Sequence, residues 1–125
     1  MTFDRGKRGY ATVMGITPEK AAKELEKTGA DIVGSNCGSG AKDLTEIARI
    51  IRSITILPLW IKPNAGVPQL VKGKTVYPET PEEMAKFTPS LIKIGVNMIG
   101  GCCGTTPEHI RLIAKEIQRY IALSG

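Results

Sequence analysis

The sequence predicts an α/β fold built from four consecutive βα units, and three observations predict it. The triplet Thr-Pro-Glu occurs at Thr17, Thr80 and Thr106, each time placing a hydroxyl at the N-cap, a proline where its missing N–H is harmless, and a carboxylate in the positive first turn of a helix. Behind each triplet the apolar residues recur at helical spacing. Ahead of each helix comes a short run, apolar on both faces and bounded by Gly, Pro or Asn, as suits a parallel strand covered by helices.

The first strand is Met1–Phe3, and the helix after Thr17 carries Ala21, Ala22 and Leu25 on one stripe. The second strand is Asp31–Asn36. Its helix starts at Asp43, whose carboxylate can cap while Glu46 reaches back as in a capping box, with Leu44, Ile47, Ile50, Ile51 and Ile54 behind. Pro58 would break a central strand, so the third begins after it, at Leu59–Lys62. A long connection, Pro63–Thr80, leads to one helix bearing Met84, Phe87, Leu91 and Ile94. The fourth strand is Asn97–Gly101, and the last helix presents Ile110, Ile113, Ala114, Ile117 and Ile121. This alternation calls for a parallel sheet with right-handed crossovers. Four units make half of an eight-stranded barrel or a small open sheet, and periodicity does not separate the two. In both, functional groups belong in the loops at the carboxyl ends of the strands.

With 125 residues, 42% hydrophobic and 23% charged, the chain has the size and apolar content of one domain. Its net charge of +5 is spread along the sequence, as on a solvated surface, and lacks the basic-aromatic interleaving of a nucleic-acid binder. The longest charge-free stretch, Ile94–Pro107, is fourteen residues, too short for a membrane span. The opening Met1-Thr-Phe-Asp-Arg-Gly-Lys-Arg lacks the apolar core of a signal peptide, which places the chain in the cytoplasm.

Three cysteines, an odd number, do not close a disulfide framework, and in a reducing compartment they are free, catalytic or metal-bound. Cys37 follows the second strand; Cys102 and Cys103 follow the fourth. All three therefore lie on the face where parallel α/β proteins place their sites. Adjacent strand residues point to opposite faces, but Gly100, Gly101 and Gly104 let the backbone turn so that Cys102 and Cys103 can converge. Three thiolates and one open position match the donor count of a catalytic zinc, against the plainer alternative of small buried thiols. Asn64, at the end of the third strand, can offer a carbonyl oxygen or simply form a turn. His109, the only histidine, is expected on an exposed surface of the last helix, so no hydrolase triad is supported. The glycine-rich segment from Gly34 to Asp43 completes neither a dinucleotide fingerprint nor a P-loop, which leaves phosphate binding a minor alternative.

Three segments, Asp31-Ile-Val-Gly-Ser-Asn-Cys37-Gly, Lys62-Pro-Asn-Ala-Gly66 and Gly100-Gly-Cys-Cys-Gly-Thr-Thr-Pro-Glu-His109-Ile, resemble the signature segments of the homocysteine S-methyltransferase family. The interval between Cys37 and Cys102 is similar to the family's, and Met1-Thr-Phe-Asp resembles its fifth strand. The resemblance implies a (β/α)8 TIM-type barrel of which residues 1–125 form the second half, a homocysteine-binding domain. It implies a zinc ion held by Cys37, Cys102 and Cys103, with the homocysteine sulfur as fourth ligand. It further implies methyl transfer to that sulfur, giving methionine. The donor is left open among methylcobalamin, betaine and S-methylated amino acids. When substrate is absent, water or the Asn64 carbonyl oxygen is expected to fill the open position, and Asn64 is the one substrate-binding residue expected here.

The family's opening half has no counterpart in this sequence, so strand edges are left unpaired, which invites association. The chain is then a piece of a longer product, one of two chains completing a barrel, or a half-barrel pairing with itself. The alternative to an enzyme is a zinc-binding half-barrel module without turnover that needs a partner chain.

Overall fold

The computed structural model describes residues 1–125. The chain enters along the edge of the central sheet. The Met1 ammonium donates to the Gly34 carbonyl at 2.9 Å, and the Asn36 N–H donates to the Met1 carbonyl at 3.1 Å. These contacts follow the line of the expected first strand without extending into a ladder, because the chain turns away after Phe3, which is sunk in the core. It turns into an antiparallel hairpin that periodicity did not anticipate, β1 (Asp4–Gly6) with β2 (Gly9–Ala11).

Helix α1 (Pro18–Lys27) starts as its sequence dictates, with the Thr17 hydroxyl accepting from the Lys20 N–H. Strand β3 (Val33–Asn36) follows, then α2 (Ala41–Ile54). The expected start of α2 at Asp43 is corrected here. Gly40 is the N-cap, Asp43 lies in the first turn, and Glu46 pairs with Arg49 rather than reaching back. The Asp43 carboxylate is engaged by the Ser39 hydroxyl at 2.6 Å and the Tyr10 hydroxyl at 2.7 Å, which fastens the β1–β2 hairpin to α2.

Strand β4 (Leu59–Lys62) begins directly after Pro58. The long connection folds into a second hairpin, β5 (Gln69–Val71) and β6 (Lys74–Val76), whose two-residue turn sets both Lys72 and Gly73 at positive φ. The single helix expected after Thr80 is divided into α3 (Pro81–Ala85) and α4 (Thr88–Ile94). Pro89 is the cause: inside a continuous helix it would delete one backbone bond and clash with the preceding turn, whereas at the start of α4 it costs nothing. Strand β7 (Met98–Ile99) and helix α5 (Pro107–Ser124) complete the chain.

β3, β4 and β7 form a parallel sheet in that order, with Val33 opposite Leu59, Asn36 opposite Lys62, and Trp60 opposite Met98. Along β4, Leu59 and Ile61 turn toward the helices and are fully buried, packed in one cluster with Val33, Leu44, Ile47, Ala48 and Ile51. Each such Leu or Ile contributes about 1.5–3 kcal/mol by leaving water. Trp60 and Lys62 point the other way, where Trp60 is 44% exposed with the Lys62 ammonium 4.5 Å from its ring centre. One face of the sheet is thus covered and the other open. No helix is long and apolar enough to cross a membrane.

Candidate metal centre

The loops that leave β3, β4 and β7 are laced together by backbone hydrogen bonds. The Cys37 N–H donates to the Lys62 carbonyl at 3.1 Å, so the end of β3 stays bound to the end of β4. The Cys102 N–H reaches the Pro63 carbonyl at 2.9 Å, the Ala65 N–H reaches the Cys103 carbonyl at 2.9 Å, and the Asn64 N–H reaches the Ser39 carbonyl at 3.1 Å. Cys37 itself sits at φ 59 and Gly38 at φ 72, two successive left-handed residues that reverse the chain directly after the strand. A side chain at Gly38 would stand 2.7 Å from the Phe3 carbonyl oxygen, so glycine is required there on two counts.

This lacing brings together all three cysteines that the sequence singled out. Cys37 Sγ and Cys103 Sγ are 3.8 Å apart, and the three sulfurs lie within 4.8 Å of one another. Cys37 and Cys102 are half-buried and Cys103 is exposed. The Gly38 backbone N–H, assisted by the neighbouring thiols and the Asn64 carboxamide, draws the Cys37 pKa below its ordinary value. Hydrogen bonding to Cys37 and Cys102 pushes that of Cys103 up. Such a cluster of soft donors can hold a metal ion.

Asn64 is 3% exposed, and its Oδ1 accepts from the Cys103 N–H at 3.0 Å. Its carbonyl oxygen therefore serves the loop that carries two of the cysteines. His109 differs from the sequence expectation. It is 5% exposed, its Nδ1 accepts from the Thr106 N–H at 3.1 Å, and its Nε2 lies 2.9 Å from the Glu79 carbonyl oxygen. The imidazole replaces the usual Glu of a capping box, and its second nitrogen has a partner only because the long loop folds over it. These contacts suit a proton on Nε2. Glu79 in turn stands at the N-terminus of α2, where Gly40 has no side chain to cap with. Burial raises the Glu79 pKa, and the Ala41 N–H opposes that rise.

Tyr77, which sequence reasoning missed, comes off β6 beside the cysteines, and its ring fills the space where a side chain on Gly104, the residue after Cys103, would stand. The available signal was a lone aromatic in the loop that joins two glycine-rich segments of the site.

A parallel α/β sheet with a three-thiol centre at the carboxyl ends of its strands is the class of protein that this geometry defines. The family profile described as homocysteine S-methyltransferase matches residues 1–117, and the chain belongs to that family. Over 108 residues it is 37% identical to a methionine synthase of Mycobacterium leprae, covering 86% of this chain and 9% of the relative. Over 106 residues it is 37% identical to a methionine synthase of Mycobacterium tuberculosis, covering 84% of this chain and 9% of the relative. Among solved structures it resembles the Escherichia coli homocysteine methyltransferase MmuM in its apo form. That match has a TM-score of 0.64 at 24% identity and covers 82% of this chain and 34% of the other. The metallated form gives a TM-score of 0.63 over 81% of this chain and 30% of the other. At that identity the likeness supports the fold. The chain spans well under half of each of these proteins.

Proposed function

We propose that Cys37, Cys102 and Cys103 hold zinc and that the chain supplies the metal-binding half of an enzyme that methylates the sulfur of homocysteine, giving methionine. The observation that carries this reading is the spacing of the sulfurs. Tetrahedral zinc with Zn–S bonds of about 2.3 Å places its sulfurs about 3.8 Å apart, and Cys37 and Cys103 stand at 3.8 Å. When bound, zinc would lower the pKa of an incoming thiol and leave an electron-rich thiolate at neutral pH.

The chain's own residues prepare that place. Gly38 offers its N–H toward Cys37, Asn64 fixes the Cys103 peptide, and the backbone lacing holds three loops in one geometry before substrate arrives. In the transfer, the homocysteine thiolate forms a bond to the methyl carbon as the bond to the donor breaks, and the electron pair of that bond leaves with the donor. Methylcobalamin, betaine and S-methylated amino acids all fit this balance.

Residues 1–125 act in this reading as one homocysteine-binding domain, the second half of a (β/α)8 barrel working in the cytoplasm. The open sheet face with Gly34, Trp60 and Lys62 would be its interior. The remaining strands come from further sequence, a completing chain or a second copy. That same open face favours the one rival worth keeping, a zinc-binding module without turnover that needs a partner chain.

The test is zinc per chain, by elemental analysis of protein purified under reducing conditions, followed by titration with homocysteine. About one zinc per chain, lost in Cys102→Ser, with a metal environment that changes on adding homocysteine, supports the enzyme. A stoichiometric zinc indifferent to homocysteine favours the module, and protein that takes up no zinc removes both.

A further inference from the structure

We propose that His109 is a positioning residue for the metal centre: through the backbone of Glu79 it closes a ring of hydrogen bonds that fixes the Cys103 peptide. This rests on the metal-centre reading above, because the ring serves function only where the cysteines hold an ion.

The ring begins and ends beside Cys103. The Cys103 carbonyl accepts from the Ala65 N–H at 2.9 Å, and the Ala65 carbonyl accepts from the Glu79 N–H at 2.9 Å. The Glu79 carbonyl oxygen lies 2.9 Å from His109 Nε2, and His109 Nδ1 accepts from the N–H of Thr106, three residues after Cys103, at 3.1 Å. Every member but one is a backbone group. The exception is the imidazole, and its roles are fixed by its partners. An amide N–H only donates, so Nδ1 offers its lone pair and Nε2 carries the proton that the Glu79 carbonyl receives. His109 is 5% exposed, so water is poorly placed to take over either bond.

Glu79 stands where the loops of the site meet. A Cβ built on Gly66 would come 3.0 Å from Glu79 Cβ, and one built on Gly40 would come 2.7 Å from Glu79 Oε2. Gly66 ends the turn that carries Asn64, and Gly40 ends the turn that begins at Cys37. Both glycines leave room for Glu79, which therefore packs on the two loops that His109 does not touch. A single side-chain bond from α5 thus ties the segment before α3 to the loops of all three cysteines.

His109→Asn isolates that bond. The shorter carboxamide places an oxygen near the position of Nδ1, where it still accepts from Thr106, and does not reach Glu79. Amide hydrogen exchange on the reduced, metal-free full chain is expected to speed up about tenfold at Glu79 and Ala65, the scale of one lost hydrogen bond. Zinc affinity, by competition against a chromophoric chelator, is expected to fall on the order of tenfold, as for other groups that support a metal ligand. Ile47→Ala weakens the core without touching the ring and should leave both quantities within about twofold of wild type, which a merely structural role of His109 would not predict. Exchange at Ala65, or zinc affinity, within about twofold of wild type in His109→Asn overturns the proposal. If that variant does not fold, long-range proton–nitrogen spectra of the wild type decide. A proton on Nε2 supports the ring, and a proton on Nδ1 overturns it. If the wild type takes up no zinc, the metal reading fails by itself, and exchange at Ala65 still decides whether His109 holds the Cys103 loop.

Discussion

Replacing Asn64 by alanine tests how the site is held together. The carboxamide is 3% exposed, and its Oδ1 is the acceptor for the Cys103 N–H at 3.0 Å. Removing it strands a donor that folding has partly withdrawn from water, at a cost of about 1–3 kcal/mol when burial is complete. Cys103 is itself exposed, so water can recover part of that loss, and the lower end, about 1 kcal/mol of global stability, is expected. The effect on metal should be larger, because the freed loop must be ordered again by the ion. Groups that support a metal ligand typically contribute 10–100-fold in affinity, roughly 1.4–2.7 kcal/mol. Urea unfolding of the metal-free protein measures the first quantity, and competition against a chromophoric chelator measures the second. Zinc affinity within about twofold of wild type, in a variant that folds normally, would refute the claim that Asn64 sets the geometry of the thiol cluster.

Other expectations follow from the same structure. Ile47 is fully buried between α2 and the sheet, so Ile47→Ala should lower unfolding stability by about 2–5 kcal/mol in a urea titration. Burial alone would raise the Asp43 pKa, but the Ser39 and Tyr10 hydroxyls and the Arg5 guanidinium outweigh it and leave the carboxyl below its ordinary value. A depressed folded pKa contributes stability above the unfolded value and loses it as pH falls through the folded one. Urea midpoints should therefore drop below about pH 4 with a slope that Asp43→Asn reduces. Adding zinc in excess of its dissociation constant should raise the thermal midpoint of the wild type, and a chelator should reverse the rise. Cys102→Ser should show neither effect.

Much of this architecture was legible because local chemistry and tertiary structure agree. The Thr17 and Thr80 hydroxyls cap their helices, β4 starts one residue after Pro58, and the three cysteines at two strand ends meet. What stayed hidden depends on contacts between distant segments. Asp43 looked like a cap, yet Gly40 takes that position and Tyr10, from a remote hairpin, claims the carboxylate. His109 looked exposed because its covering partner, Glu79, lies 30 residues away. The β5–β6 hairpin did carry a signal in the Lys72-Gly73 pair, which accepts the positive φ values of a tight turn, but its strands lack apolar alternation and both lie exposed. Pro89 inside an otherwise helical stripe was the readable mark of the break between α3 and α4.

Zinc-edge X-ray absorption on the zinc-loaded chain, with and without homocysteine, tests the central claim most directly. The account predicts three sulfur neighbours and one oxygen or nitrogen without substrate, becoming four sulfurs at about 2.3 Å when homocysteine is added. Four sulfurs before substrate is added, or three sulfurs unchanged by it, would contradict the assignment of Cys37, Cys102 and Cys103 as an open centre that takes the substrate's thiol.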